Sequence, residues 1–176
     1  MAVKDQDMVR KKADDTRPLD RIDRKILGVL AQDATLSFAD LGTRVGLSAP
    51  AVHERVKRLK ADGVIKRTVA ILDGAAISKP LLAFVHVDTT GWGKTKALMA
   101  LTDFPEVEEI HSATGDTCLI MKVRVTSSVA LEGLLARLYD TEGVRGTRTY
   151  VALSTHLERS PQAEVSAILE DAPHIR

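Results

Sequence analysis

The sequence predicts an α+β protein in two parts: an N-terminal winged-type helix-turn-helix and a C-terminal ferredoxin-like β-α-β-β-α-β layer. Three observations predict this. From Ser37 to Arg67, two short amphipathic patterns flank the turn Gly46-Leu47-Ser48. From Leu81 to Leu153, strand-like and helix-like apolar spacings alternate in the order of that second fold. The two halves also differ electrically: residues 1–75 hold 15 basic and 11 acidic residues, net +4, and residues 76–176 hold 10 and 13, net −3.

Residues 1–18 show no periodicity and end at Pro18, the pattern of a flexible arm. Asp20 caps the first predicted helix, with Asp23 at the capping-box position and Ile22, Ile26, Val29 and Leu30 as its buried stripe. Leu27 lies on a neighbouring face as a candidate dimer contact. Ser37 and Asp40 form the same start signal for a second helix, which Gly46 ends by taking the left-handed conformation. Ser48 caps a third helix only two residues later, and Pro50 falls in its first turn, where a missing N–H is tolerated. Val52, Val56 and Leu59 recur at helical spacing and mark its inner face. The opposite side carries Pro50, Glu54, Lys57 and Arg58, with His53 on the flank. Gly63 closes the helix, and the segment from Val64 to Asp73 reads as an extended wing and hinge.

Between Arg44 and Arg67 there are seven Lys/Arg against two acids. A positive helix presented by a tight turn suits the major groove of double-stranded DNA. A solvated helical face is the bland alternative for any charge run, but the two caps, the turn and the extended exit together favour DNA. Ser48, Pro50, His53, Glu54, Lys57 and Arg58 are the candidate contacts. Lys57 and Arg58 would hold phosphate or guanine edges, and His53 and Glu54 would read bases.

After the interruption at Gly74–Pro80, Leu81 to Thr89 is the first strand of the second part, and Lys94 to Leu101 a helix with Ala97, Leu98 and Leu101 inward. Val107 to Ser112 and Cys118 to Val125 are strands joined by the turn Thr114-Gly115-Asp116-Thr117. Ser127 or Ser128 caps a helix with Leu131, Leu134, Leu135 and Leu138 on one face; Gly143 stops it, and Val144 to Leu153 is the last strand. Two helices on one face of a sheet leave the other bare, which predicts a homodimer at least. The domain bounds read as 1–18 arm, 19–67 helix-turn-helix, 68–79 hinge, 80–158 ferredoxin-like domain, and 159–176 a tail with a short helix around Val165, Ile168 and Leu169.

Composition narrows the function. An aromatic share of 3% argues against a stacking platform for single strands. The single cysteine, Cys118, excludes an intramolecular disulfide and a zinc cluster. No metal and no cofactor is expected. No apolar run approaches a membrane span and the first eighteen residues lack a secretory pattern, so the expected location is cytoplasmic. An apolar-flanked thiol at a strand start reads as packing rather than a redox sensor.

The segments LDRIDRKIL (19–27), DLGTRVGLS (40–48), ERVKRL (54–59), DGVI (62–65), SATGDTCLIMKVRV (112–125) and GVRGTRTYV (143–151) together resemble the Lrp/AsnC, or feast/famine, transcriptional regulators. The resemblance runs from Leu19 to about Glu158. It implies a sequence-specific DNA-binding regulator and no enzyme, with a RAM/ACT-like sensing domain, assembled as a dimer and on to higher oligomers such as octamers. It also implies an amino acid effector held between sensing domains, at Thr114, Gly115, Asp116 and Cys118 with Thr147 and Thr149. Backbone N–H groups of a Gly-containing turn suit a carboxylate, and Asp116 suits an ammonium; an ordinary hairpin turn is the alternative reading of Gly115-Asp116. Several relatives carry a second acid where this chain has Cys118, which implies a different effector or none. Two other functions remain open at this stage. The architecture is also similar to that of sirohaem decarboxylases, but His86, His111, His156, Arg124, Arg145 and Arg148 form no pattern for a tetrapyrrole. An architectural DNA-wrapping protein would bind with little sequence preference.

Overall fold

The computed structural model describes residues 18–90 and 99–163. The chain divides into two compact units, one running to Val69 and taking up the chain again from Glu158, the other spanning Ala70–Leu157.

The first unit contains three helices. α1 (Arg21–Gln32) begins at a reciprocal capping box: Asp23 N donates to Asp20 Oδ1 at 2.7 Å and Asp20 N to Asp23 Oδ2 at 3.4 Å. α2 (Phe38–Val45) is capped differently from a box, because Asp40 N donates to Ser37 Oγ while that hydroxyl donates back to the Asp40 carboxylate at 2.6 Å. Gly46 ends α2 at φ 76°, and Leu47 N closes onto Gly42 O at 2.9 Å. That turn is tight enough that a Cβ on Gly42 would fall on the Leu47 carbonyl oxygen. α3 (Ala49–Ala61) follows, with Ser48 in N-cap backbone geometry but making no side-chain cap hydrogen bond, which differs from the expectation. Ile26, Leu41, Val45, Val52, Val56 and Leu59 form the core. Leu27 is half-buried and packs partly against it.

The expected extended wing is not a strand. Ile65 N donates to Leu59 O at 3.0 Å, tucking the chain under α3, but no strand is formed between α3 and Leu81. An extended segment becomes a strand only when a neighbour pairs its backbone, and Val69, Ile71 and Leu72 stay 63–71% exposed.

In the second unit a turn closed by Lys79 N on Gly74 O (2.7 Å) leads into β1 (Leu81–Thr89). A short 3-10 turn at Ala100–Asp103 buries Leu101, while the rest of the helix expected from Lys94 lies outside the described residues. β2 (Val107–Ser112), β3 (Leu119–Val125), α4 (Ser128–Tyr139) and β4 (Val144–Val151) complete the order. The strands make one antiparallel sheet, β2-β3-β1-β4, the ferredoxin-like arrangement. Ser127 Oγ accepts from Ala130 N at 3.1 Å to start α4. Leu131, Leu134 and Leu138 then pack with Val85, Val87, Met121, Val123 and Val125 on one sheet face. The other face carries Leu82, Phe84, His86 and Asp88 on β1 and Ile120, Lys122 and Arg124 on β3, by the alternation of the strands. The tail helix expected around Val165 lies outside the described residues; before it, Ala163 O accepts from Arg24 Nη1 of α1 at 2.9 Å.

Candidate nucleic-acid helix and effector loop

α3 is held from behind by charge. Asp23 is buried on α1, and a carboxylate removed from water needs paired cations. Arg55 Nη1 reaches Asp23 Oδ1 at 2.8 Å and Asp20 Oδ2 at 2.6 Å, and Arg58 Nη2 lies 2.8 and 2.9 Å from the two Asp23 oxygens. The Arg55 hydrogen bond, helped by the Asp23 amide, pulls the Asp20 carboxyl from 3.8 to about 2. The same carboxylates raise the Arg55 pKa further. Two cations of the basic run are therefore struts between α1 and α3. Arg58, expected to hold phosphate or guanine edges, also braces the helix that presents the other candidates.

The outward face keeps Ser48, Pro50, His53, Glu54, Lys57 and Lys60 exposed. Lys57 and Lys60 make no ion pair among the described residues. His53 is positioned on both sides: Phe38 of α2 meets its ring edge-on with centroids 5.1 Å apart, and its Nδ1 lies 3.4 Å from Glu54 Oε1. A row of exposed polar side chains on a helix locked to its neighbours can enter a groove without rearranging its own packing.

The second candidate site is the loop between β2 and β3. Ala113 N closes on Cys118 O at 3.0 Å, and Gly115 takes φ 124°, open to few residues but glycine. Thr114, Gly115 and Asp116 are exposed. Arg148 grips the loop: Nη1 donates to Asp116 Oδ2 at 3.0 Å and Nη2 to Asp116 O at 2.8 Å, with Asp88 at 3.8 Å. Buried Thr117 has its hydroxyl within 3.2 Å of the Val87 and Leu119 carbonyls and anchors the loop's end to the sheet. Cys118 hydrogen-bonds Thr89, which draws its thiol below the ordinary value.

The sheet separates the expected effector residues. Thr147 and Thr149 pair with Val87 and Val85 and so face the helix side, where Tyr139 Oη of α4 accepts from Thr147 N at 3.3 Å. The Thr147 hydroxyl and amide on that phenol lower its pKa. Arg148 lies between the two threonines and points with His86 to the bare face. Thr114, Asp116 and Cys118 thus belong to one loop, while the two threonines sit across the sheet plane from the Arg148 contact. Sequence reasoning missed Arg148, Thr117 and Tyr139. The strict alternation Thr147-Arg148-Thr149 was the one available signal, since it sets the arginine on the face opposite its neighbours.

Two further observations concern the described residues as a whole. No group of His, Cys, Asp and Glu among them is placed to hold a metal, and no helix is long and apolar enough to cross a membrane.

Residues 19–60 match the model of the AsnC-type helix-turn-helix domain, and residues 82–162 match that of the Lrp/AsnC ligand binding domain. The chain is 34% identical to the HTH-type transcriptional regulator FL11 of Pyrococcus horikoshii over 141 residues, 80% of this chain and 93% of that protein. It is 38% identical to the HTH-type transcriptional regulator LrpA of Mycobacterium tuberculosis over 138 residues, 78% of this chain and 91% of that one. Among solved structures, the feast or famine regulatory protein of M. tuberculosis complexed with L-methionine superimposes with a TM-score of 0.74 at 37% identity, covering 80% of this chain and 96% of that chain.

Proposed function

Because the chain belongs to the Lrp/AsnC family of transcriptional regulators, we propose that α3 reads duplex DNA with His53, Glu54 and Lys57, and that an amino acid at the Thr114–Cys118 loop tunes this reading. The observation that carries the first half is the division of cations on α3: Arg55 and Arg58 turn inward to Asp23, while Lys57 stays outward beside His53 and Glu54. Ser48, whose hydroxyl is not used as a cap, and Pro50 stand at the end of the helix that meets the duplex first. Lys57 contacts phosphate, and His53 and Glu54 meet base edges. Arg58 keeps the helix in place and reaches phosphate only with the donors that Asp23 leaves unused.

The effector half is supported by the methionine bound to the M. tuberculosis relative. The exposed Gly115-Asp116 backbone and carboxylate, fixed by Arg148, offer donors for a ligand carboxylate and an acceptor for its ammonium. Thr147 and Thr149 complete such a site only if a second copy brings its own loop to that face. The bare sheet face, with Phe84 and Tyr150 exposed, supports a homodimer, and higher oligomers up to an octamer build on it. The sirohaem and DNA-wrapping readings have no observation in their favour, and the relatives are named as transcriptional regulators.

Fluorescence anisotropy on the chain's own promoter duplex, against random duplex, tests the reading. Lys57→Glu should lower specific affinity at least tenfold while circular dichroism shows an intact fold. Binding of promoter and random duplex with equal affinity would sink the specific regulator.

A further inference from the structure

Two exposed neighbours on α3 form a joint surface whose chemistry narrows the bases it can meet. Glu54 Oε1 stands 3.4 Å from His53 Nδ1. An ionised carboxylate only accepts hydrogen bonds, so the imidazole nitrogen turned towards it is the one that carries the proton. In the neutral ring the other nitrogen, Nε2, is then a bare acceptor, and it has no hydrogen-bond partner among the described residues. Glu54 Oε2, likewise without a partner among the described residues, is a second acceptor beside it. The ring plane is set from α2. Phe38 meets His53 with centroids 5.1 Å apart and planes at 66°, the edge-on arrangement that aromatic rings favour. Phe38 is 39% exposed and takes no part in the core of the first unit. Its ring is therefore placed against His53 and not for burial.

We infer that His53 and Glu54 form a two-acceptor reading surface whose partners are the exocyclic amino groups of the major groove, adenine N6 or cytosine N4. Glu54 fixes the tautomer of His53, and Phe38 is the positioning residue that fixes its ring plane. Residues one apart on a helix do not face each other by default, so the Phe38 edge is what turns the imidazole towards Glu54. Guanine or thymine at the contacted position would set O6, N7 or O4 against an acceptor, with no proton between them. The inference deepens the reading of α3 as the DNA-contacting helix and rests on it.

The test is fluorescence anisotropy with the full-length protein at about pH 8, where an imidazole is neutral. Every base pair of the chain's own promoter duplex is replaced in turn, and a position whose penalty disappears in His53→Ala is a His53 contact. The preferred base there should be adenine or cytosine. Removing only its amino group, with unsubstituted purine for adenine or pyrimidin-2-one for cytosine, should weaken binding by at least about fivefold, the size of an ordinary mismatch. Replacing adenine by 7-deazaadenine, which keeps the amino group and loses the N7 acceptor, should change nothing. Glu54→Ala and Phe38→Ala should each abolish most of the amino-group penalty, and Phe38→Tyr, which keeps the ring, should retain it. Both side chains are exposed, so the fold is retained. A His53-dependent preference for guanine or thymine, a penalty that follows N7, or one that survives Glu54→Ala or Phe38→Ala would overturn the proposal. So would the absence of any His53-dependent position in a promoter still distinguished from random duplex. Equal binding of promoter and random duplex would instead sink the reading on which the proposal rests.

Discussion

Removing the Asp23 carboxylate should weaken the first unit and, at the same time, strengthen its non-specific grip on DNA. Asp23 is 3% exposed and takes hydrogen bonds from Arg55 at 2.8 Å and from Arg58 at 2.8 and 2.9 Å. Taking one partner out of a buried pair costs about 3–5 kcal/mol. The two guanidinium side chains are 25% and 34% exposed and can turn towards water, so the lower end, about 3 kcal/mol, applies to Asp23→Ala. At about 4–8 °C per kcal/mol for a unit of this size, its melting transition should fall by on the order of 15 °C. Asp23→Asn, which keeps an acceptor of the same shape, should fall less. Both variants release Arg55 and Arg58 from α1. Each cation that then finds a phosphate steepens the dependence of log K on log salt by about 0.9, so the slope on random duplex should grow by up to about 1.8. Differential scanning calorimetry gives the first number, and anisotropy between 50 and 200 mM salt, below the new midpoint, gives the second; both concentrations are about the range where such slopes are read. Loss of less than about 1 kcal/mol, a figure well below the cost of a broken buried pair, would show that the clamp does not hold α3. An unchanged salt slope would show that the arginines were never withheld from the duplex.

Three shorter predictions follow from the same geometry. Gly42→Ala places a methyl on the Leu47 carbonyl and should cost about 1–3 kcal/mol by overpacking, with DNA retention lost and the sheet's hydrogen-exchange protection unchanged. Asp20 has its pKa lowered from 3.8 to about 2, so its contribution is fully present above the unfolded value and is lost as pH falls from about 4 to about 2; Asp20→Asn should lower the stability of the first unit near neutrality and flatten its stability–pH curve across that window, so that variant and wild type converge at the acid end. Arg148→Met removes both bonds to Asp116 and should abolish the part of any amino-acid-induced rise in melting temperature that comes from the loop, while DNA affinity without ligand stays within twofold.

What the sequence made legible was local. The Asp20–Asp23 box, the Gly46 stop and the Val52-Val56-Leu59 stripe are each decided by residues three or four apart, and each lies where spacing put it. The same holds for β1, β2 and α4, where alternation or leucine spacing had no competing signal. What spacing could not show depends on long-range partners. Arg55 and Arg58 looked like two more positive charges because their carboxylate lies 32 and 35 residues earlier on another helix. The wing from Val64 to Asp73 looked like a strand because its residues favour extension, but a strand needs a ladder and this chain supplies none there. Thr147 and Thr149, named with Asp116 for a site between sensing domains, lie by strand pairing on the sheet face opposite Arg148, which alternation alone could have shown.

The clamp also bears on how a family helix of this kind discriminates among sequences. Non-specific affinity grows with every cation that reaches phosphate, whereas base readout does not. Of the seven cations between Arg44 and Arg67, Arg55 and Arg58 sit on Asp23, and Glu54 adds an exposed negative charge to the same outward face. On the proposed reading, a duplex that meets α3 without matching its polar groups would gain little, and His53 and Glu54 would have to find base partners to make up the difference. Replacing Glu54 by glutamine should then raise affinity for random duplex more than for the promoter, narrowing the ratio between them, and an equal rise for both would place Glu54 outside the reading surface.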